Sequence, residues 1–211
     1  MNRLVRMSLV GLLSAAPAVT LTVPALACGN SYRYEIDPKT NLVVRAEEAL
    51  HEGQYTEAVK LAQDATGAIG KAVEGEADPK SLGALRARSL RVASIAVVKS
   101  EGKVALAGQK ETLTWAVSQL RVLSKREPGN PYLQARLAEG LAKDTTGKKE
   151  ALEILSKLAA DDLMPDAAAW RLLAQLQSDA GNGGERDKAI DQCKKRATDP
   201  STCVVKSPGE T

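Results

Sequence analysis

"GQYTEAV", residues 53–59, reads as the joint of a helical hairpin. Before it, Leu42, Ala46, Ala49 and Leu50 recur at three- and four-residue steps and define one apolar helix face. Gly53-Gln54 interrupts that face, and Tyr55, Ala58, Val59, Ala62 and Ala65 begin another. Two helices joined by so few residues pack as antiparallel neighbours.

Working outward, the same alternation of periodic segments and breaks continues to the C-terminus. Residues 66–79 carry three glycines and several charges, and are expected to form a frayed helix end and a loop. Apolar periodicity predicts further helices over 81–99, 109–126, 132–143, 148–160, 165–180 and 185–197. The breaks between the later ones are "EPGNP" (127–131), "DTTG" (144–147), "DDLMP" (161–165) and "GNGG" (181–184). No segment alternates with period two long enough to predict a strand. Residues 28–40 read as an irregular lead, 41–203 as the helical domain and 204–211 as a tail that is loose unless Cys203 ties it.

The helices repeat as pairs. Ala116, Ala151 and Ala189 each sit early in the second helix of a pair, spaced by 35 and 38 residues. In the last pair Trp170, Leu173 and Ala174 precede Ala189, Cys193 and Pro200. In the one before it Leu137, Ala138 and Leu141 precede Ala151 and Leu155. With Ala46 and Ala49 ahead of Gly53, Tyr55 and Ala58, the chain resembles the tetratricopeptide-repeat (TPR) family, whose unit is about 34 residues. The resemblance spans 41–200 in four units, the second carrying about ten extra residues between Leu90, Ala93 and Ser94 and Ala116 and Leu120. It implies an all-α, right-handed superhelix of antiparallel helix pairs, a TPR-like α-solenoid in which small residues let the helices of a pair cross closely.

The first 27 residues form a separate segment. Arg3 and Arg6 make a basic start, 8–23 is apolar, no further charge appears before Arg33, and Ala25-Leu26-Ala27 suits a signal-peptide cleavage site. Export to an oxidising compartment is therefore expected. There Cys193 and Cys203, ten residues apart around the helix-stopping Asp199-Pro200, are expected to form a disulfide. Cys28 follows the cleavage point. It is a candidate for lipidation as in bacterial lipoproteins, although Ala25-Leu26 reverses the usual order of the recognition box and also suits the ordinary signal peptidase. Both readings of Cys28 stay open. The location expected is periplasmic, with outer-membrane anchoring if Cys28 is acylated.

Composition narrows the function. Without Arg3 and Arg6 the formal charge falls from +3 to +1, and aromatic residues are 3% with no Phe. Neither a basic field nor stacking platforms for nucleic acid are present. His51 is the one histidine, so Ser/His/Asp catalysis and Cys/His zinc sites have no support, and "GNGG" lacks the lysine of a phosphate loop. The carboxylates Glu47/Glu48, Asp161/Asp162, Asp144 and Asp166 have local explanations on helix faces and ends. No cofactor or catalysis is expected.

The TPR resemblance implies a binding scaffold whose first helices line a concave groove for a peptide or a partner's helix. On that register Arg88, Arg91, Lys99, Tyr132, Glu139, Lys143, Arg171 and Gln175 fall on the groove face. Arg88 and Arg91 share a helix face and Lys99 lies two turns on, so the expected partner is a protein or peptide with acidic character. The asparagines of the dicarboxylate clamp in chaperone-binding members are missing. A structural role as an envelope lipoprotein assisting a secretion, pilus or motility complex is the alternative, with membrane contact only through lipid on Cys28.

Overall fold

The computed structural model describes residues 37–74, 79–108 and 112–205. The export segment, Cys28 and the tail from residue 206 lie outside the described residues. Eight α-helices are present among those described: α1 (Pro38–His51), α2 (Tyr55–Glu74), α3 (Pro79–Lys99), α4 (Thr112–Arg126), α5 (Pro131–Leu141), α6 (Lys148–Ala160), α7 (Ala167–Asp179) and α8 (Gly183–Arg196), with short 3-10 turns at Thr145–Gly147 and Pro200–Cys203.

The breaks in the sequence double as caps. In "EPGNP" the Asn130 side chain accepts from the Leu133 N–H at 3.2 Å, and Pro131 opens α5 where its missing N–H costs nothing. Asp166 accepts from the Ala169 N–H at 2.8 Å at the head of α7. Asp37 does the same for the Thr40 N–H at 3.2 Å, followed by Pro38. That last cap corrects the sequence reading, which starts the first helix at Asn41: Asp37-Pro38 is a start signal that apolar periodicity does not register. A second correction concerns 66–79. α2 runs on to Glu74 through Gly67 and Gly70, because Ala65 and Ile69 continue its face and are fully buried against Val43, Leu82 and Leu85. Their burial outweighs the roughly 1 kcal/mol that each glycine costs in a helix.

Consecutive helices pack as antiparallel pairs, α1/α2, α3/α4, α5/α6 and α7/α8, and each second helix also packs on the next first helix. First helices touch in succession, α1 on α3, α3 on α5 and α5 on α7, whereas successive second helices make at most marginal contact. The stack therefore curves toward the first-helix face. This is a TPR-like α-solenoid of four units. One continuous core of small and branched residues runs from Ala46 to Cys203.

Alanine and glycine stand at the crossings. Ala46, Ala58, Ala116, Ala138, Ala151 and Ala174 are fully buried. At Gly140 a Cβ would lie 2.9 Å from Val117 Cγ2 and 3.1 Å from Val98 Cγ2, so α5 approaches α3 and α4 as closely as it does because no side chain intervenes. The extra residues of the second unit form a connection after α3. Val104 and Leu106 turn into the core, and Thr112 Oγ1 donates to the Gly102 carbonyl at 2.9 Å. The insertion thus acts as packing material, and the register on either side of it is kept.

Cys193 and Cys203 are bonded, with Cα atoms 5.9 Å apart, and both are buried. The 3-10 turn that carries Cys203 lies against α7 and α8, where the first helix of a further unit would pack. α8 itself is strongly charged on its outer side, from Glu185 to Arg196. The turn and the bridge thus cover the flank of α7 and α8.

Candidate functional site

The eight groove candidates all belong to first helices or to the turns that leave them, but the structure divides them. Lys99, Lys143 and Arg171 line one cleft of about 160 Å³ between the end of α3, α5 and the first half of α7, together with Arg136, Glu139 and Leu172. Arg88, Arg91, Tyr132 and Gln175 do not line it. Arg88 grips Glu47 of α1 through two bonds, 3.0 Å from Nε and 2.6 Å from Nη2. Arg91 donates to Glu127 at 2.5 Å. The two arginines share a helix face, as their spacing requires, yet reach to opposite neighbours. Arg88 ties the second unit to the first, Arg91 ties α3 to the turn that follows α4, and both are engaged within the chain. Tyr132, at the head of α5, lies under the Arg136 guanidinium at 4.8 Å from its ring centre. Gln175 donates to Asp179 at 2.9 Å.

Arg136 is the residue of this site that sequence reasoning misses. It stands between Ala135 and Leu137 and its side chain is 5% exposed. It donates to Glu139 at 2.7 Å and to Asp166, the cap of α7. Burial works against its charge, and Asp166 and Glu139 more than offset that, so its pKa is raised. Among the described residues its Nε finds no hydrogen-bond partner. The guanidinium thus fixes α5 to the start of α7 and sets the shape of the cleft between them.

Around this anchor the charges are shared unevenly. Lys99 pairs with the Glu139 carboxylate at 2.9 Å, which Arg136 also uses. Lys143 reaches back to Glu101 at 3.1 Å, and Lys103 reaches the same carboxylate at 3.2 Å. Arg171 is exposed and makes no ion pair among the described residues. Five cations, Lys99, Lys103, Arg136, Lys143 and Arg171, thus face three carboxylates, Glu101, Glu139 and Asp166. Glu101 is held below the usual carboxylate range, first by the hydrogen bond from Lys143 and then by that from Lys103. Beyond Lys99 an open groove of about 750 Å³ continues over Gly53, Tyr55, Glu57, Glu101 and Lys103.

What this surface can do is hold anions. Lys103, Lys143 and Arg171 are solvated donors beside a buried guanidinium, and an exposed ion pair is weak enough to exchange partners. Among the described residues no group of three His, Cys, Asp or Glu side chains is placed to hold a metal ion, and no helix is long and apolar enough to cross a membrane. Glu47, Asp144 and Asp166 carry the local structural roles just described or, for Asp144, accept from Thr146 Oγ1 at 2.7 Å. No protein-family model matches the sequence, and a comparison with curated proteins finds no match.

Proposed function

We propose that this chain is a non-catalytic TPR-like scaffold of the bacterial cell envelope, which takes an acidic protein segment or peptide on its first-helix face. The observation that carries the reading is the cationic excess at the cleft of Lys99, Lys143 and Arg171, on the side toward which the solenoid curves. An extended acidic segment laid along α3, α5 and α7 meets these donors in turn. The envelope location rests on the export-type first 27 residues.

The test is binding of a labelled oligoglutamate peptide, with an oligolysine peptide as control, over a salt series. The reading expects the acidic peptide to bind, the basic one not to, and affinity to fall steeply as salt rises, because exposed charges are screened within about 8–10 Å at 0.1–0.15 M. Equal binding of both peptides, or of neither, rejects it.

A second reading, a lipoprotein that assists assembly of an envelope complex, is favoured by the cysteine count. Of three cysteines, two are bonded to each other, which leaves Cys28 with no cysteine partner in its own chain. Mass spectrometry of the mature N-terminus from native membranes separates the two: a diacylated Cys28 supports the lipoprotein, a free amine at that residue without lipid removes it.

A further inference from the structure

Four of the described helices end in the same double hydrogen-bonded turn. After α1 the Gly53 N–H reaches the Leu50 carbonyl and Gln54 reaches Ala49; after α7 Gly181 reaches Ser178 and Asn182 reaches Gln177. After α6 Asp162 reaches Ala159 and Leu163 reaches Leu158; after α3 Glu101 reaches Val98 and Gly102 reaches Val97. The turn requires a left-handed residue, and φ is +75° at Gly53, +77° at Gly181, +53° at Asp162 and +57° at Glu101. Glycine is the usual choice because a Cβ crowds the backbone there, and aspartate is tolerated for its short side chain. Glutamate has neither excuse. Glu101 is the outlier of the four.

Its side chain explains what the position gains. From this turn the Glu101 carboxylate bridges Lys103 at 3.2 Å and Lys143 at 3.1 Å. It therefore stands between the open groove over Tyr55 and the cleft that Lys99, Lys143 and Arg171 line. An outlying backbone conformation that delivers one charged group to a binding surface points to a role for that group.

We propose that Glu101 is an internal competitor, whose carboxylate occupies the place of a carboxylate of the acidic partner and yields Lys143 to it on binding. This rests on the reading of the first-helix face as an acidic-segment site. Three observations support it. Lys143 is shared between the cleft and Glu101, so a ligand in the cleft contends for the same ammonium group. The Lys143–Glu101 pair is partly exposed on both sides, 33% and 54%, so one carboxylate can replace another with little loss of solvation. When it is displaced Glu101 keeps Lys103, two residues along its own loop, and is not left unpaired. The effect is to raise the threshold: a segment with a single carboxylate gains little over Glu101, whereas one that also reaches Lys99 and Arg171 does.

The experiment measures anisotropy of a labelled oligoglutamate peptide with the full exported chain, its Glu101→Gln and Glu101→Gly variants, and both changes combined with Lys143→Gln. Folding of each is checked by circular dichroism. Removing the competitor is expected to tighten binding about twofold to fivefold, the range set by losing one exposed ion-pair rival. The gain should appear in both single variants and vanish in the Lys143→Gln background. Glu101→Gly, which also relieves the left-handed glutamate, should melt no lower than the parent chain. Binding by the parent with no gain in either variant overturns the competitor and leaves the acidic-segment site standing. A gain that persists without Lys143 also overturns it. Absence of binding by every form removes both readings together.

Discussion

Trp170 and Arg136 are both large, both nearly buried and both within the last two units, yet one was legible in the sequence and the other was not. Trp170 falls where the repeat pattern that the sequence resembles carries its tryptophan, and it is 7% exposed between α6, α7 and α8 with the Arg196 guanidinium 5.3 Å from its ring centre. Trp170→Ala is expected to cost about 3–5 kcal/mol, read as a shift of the urea midpoint. A loss below about 1 kcal/mol would contradict its role as an anchor. Arg136 reads on paper as one more solvated cation of a charged helix. Its burial depends on Asp166, thirty residues later in chain and in another unit, and nothing local announces that meeting. The same limit applied to Arg88 and Arg91. Their shared face was readable from spacing, whereas their partners Glu47 and Glu127, on other elements, decided that neither lines the cleft.

At the scale of elements, the ends of helices were less legible than their faces. Periodicity placed α3 to α8 within a few residues, because apolar faces must be buried whatever the loops do. It ended α2 too early, since Gly67 and Gly70 are breakers by propensity and only the burial of Ile69 overrides them. Gly147 shows the reverse, a glycine whose need is steric and not conformational. A Cβ there would stand 2.4 Å from the Leu141 carbonyl oxygen, which belongs to the backbone and cannot step aside. Gly147→Ala is expected to destabilise by roughly 1–3 kcal/mol or more, and by more than Gly140→Ala, whose obstacles are the side chains of Val98 and Val117. Thermal melts of the two variants check the order.

The turn that carries Cys203 was legible from two cysteines and a proline. A bridge across this ten-residue separation stabilises by about 2.7 kcal/mol on chain-entropy grounds. Reduction, or Cys203→Ala, should lower the unfolding free energy by about that amount. Hydrogen exchange should locate the loss in α8, because that is the helix the bridge ties; uniform loosening of all four units would contradict that local role.

Asp179 gives the link between the last two units a pH dependence. Its pKa is lowered, first by the hydrogen bond from Lys148 of α6 at 2.7 Å, and Gln175 adds to it. A carboxyl held low in the folded state adds stability above its unfolded pKa, about 3.9. That contribution is lost as pH falls through the lower folded value. Solvent reaches both partners, so the pair is worth a few tenths to about 1 kcal/mol. Asp179→Asn should therefore be less stable than the parent near neutrality and equal to it well below the ordinary carboxylate range, as measured by urea titrations at the two ends. A difference that survives acidification would assign the effect to packing.

For the whole molecule, the alternation of pairs and breaks was enough to specify a stack, since each unit buries its apolar surface only against its neighbours. The second unit's register stayed open on paper because its inserted residues carry no periodicity. Val104 and Leu106 settle it by filling the core beside α3 and α4. The groove was half legible: a first-helix register names the residues that can face it, and the side-chain pairing within the stack decides which of them remain available. Lys99, Lys143 and Arg171 do so by sharing fewer carboxylates than they could use. The account's central claim is that this face, and not the outer face of second helices, receives the acidic partner. Hydrogen–deuterium exchange of the chain with and without saturating oligoglutamate peptide tests it most directly. The account predicts new protection in α3, α5 and α7 and in the turns carrying Glu101 and Lys143; protection confined to α2, α4, α6 and α8 would contradict it.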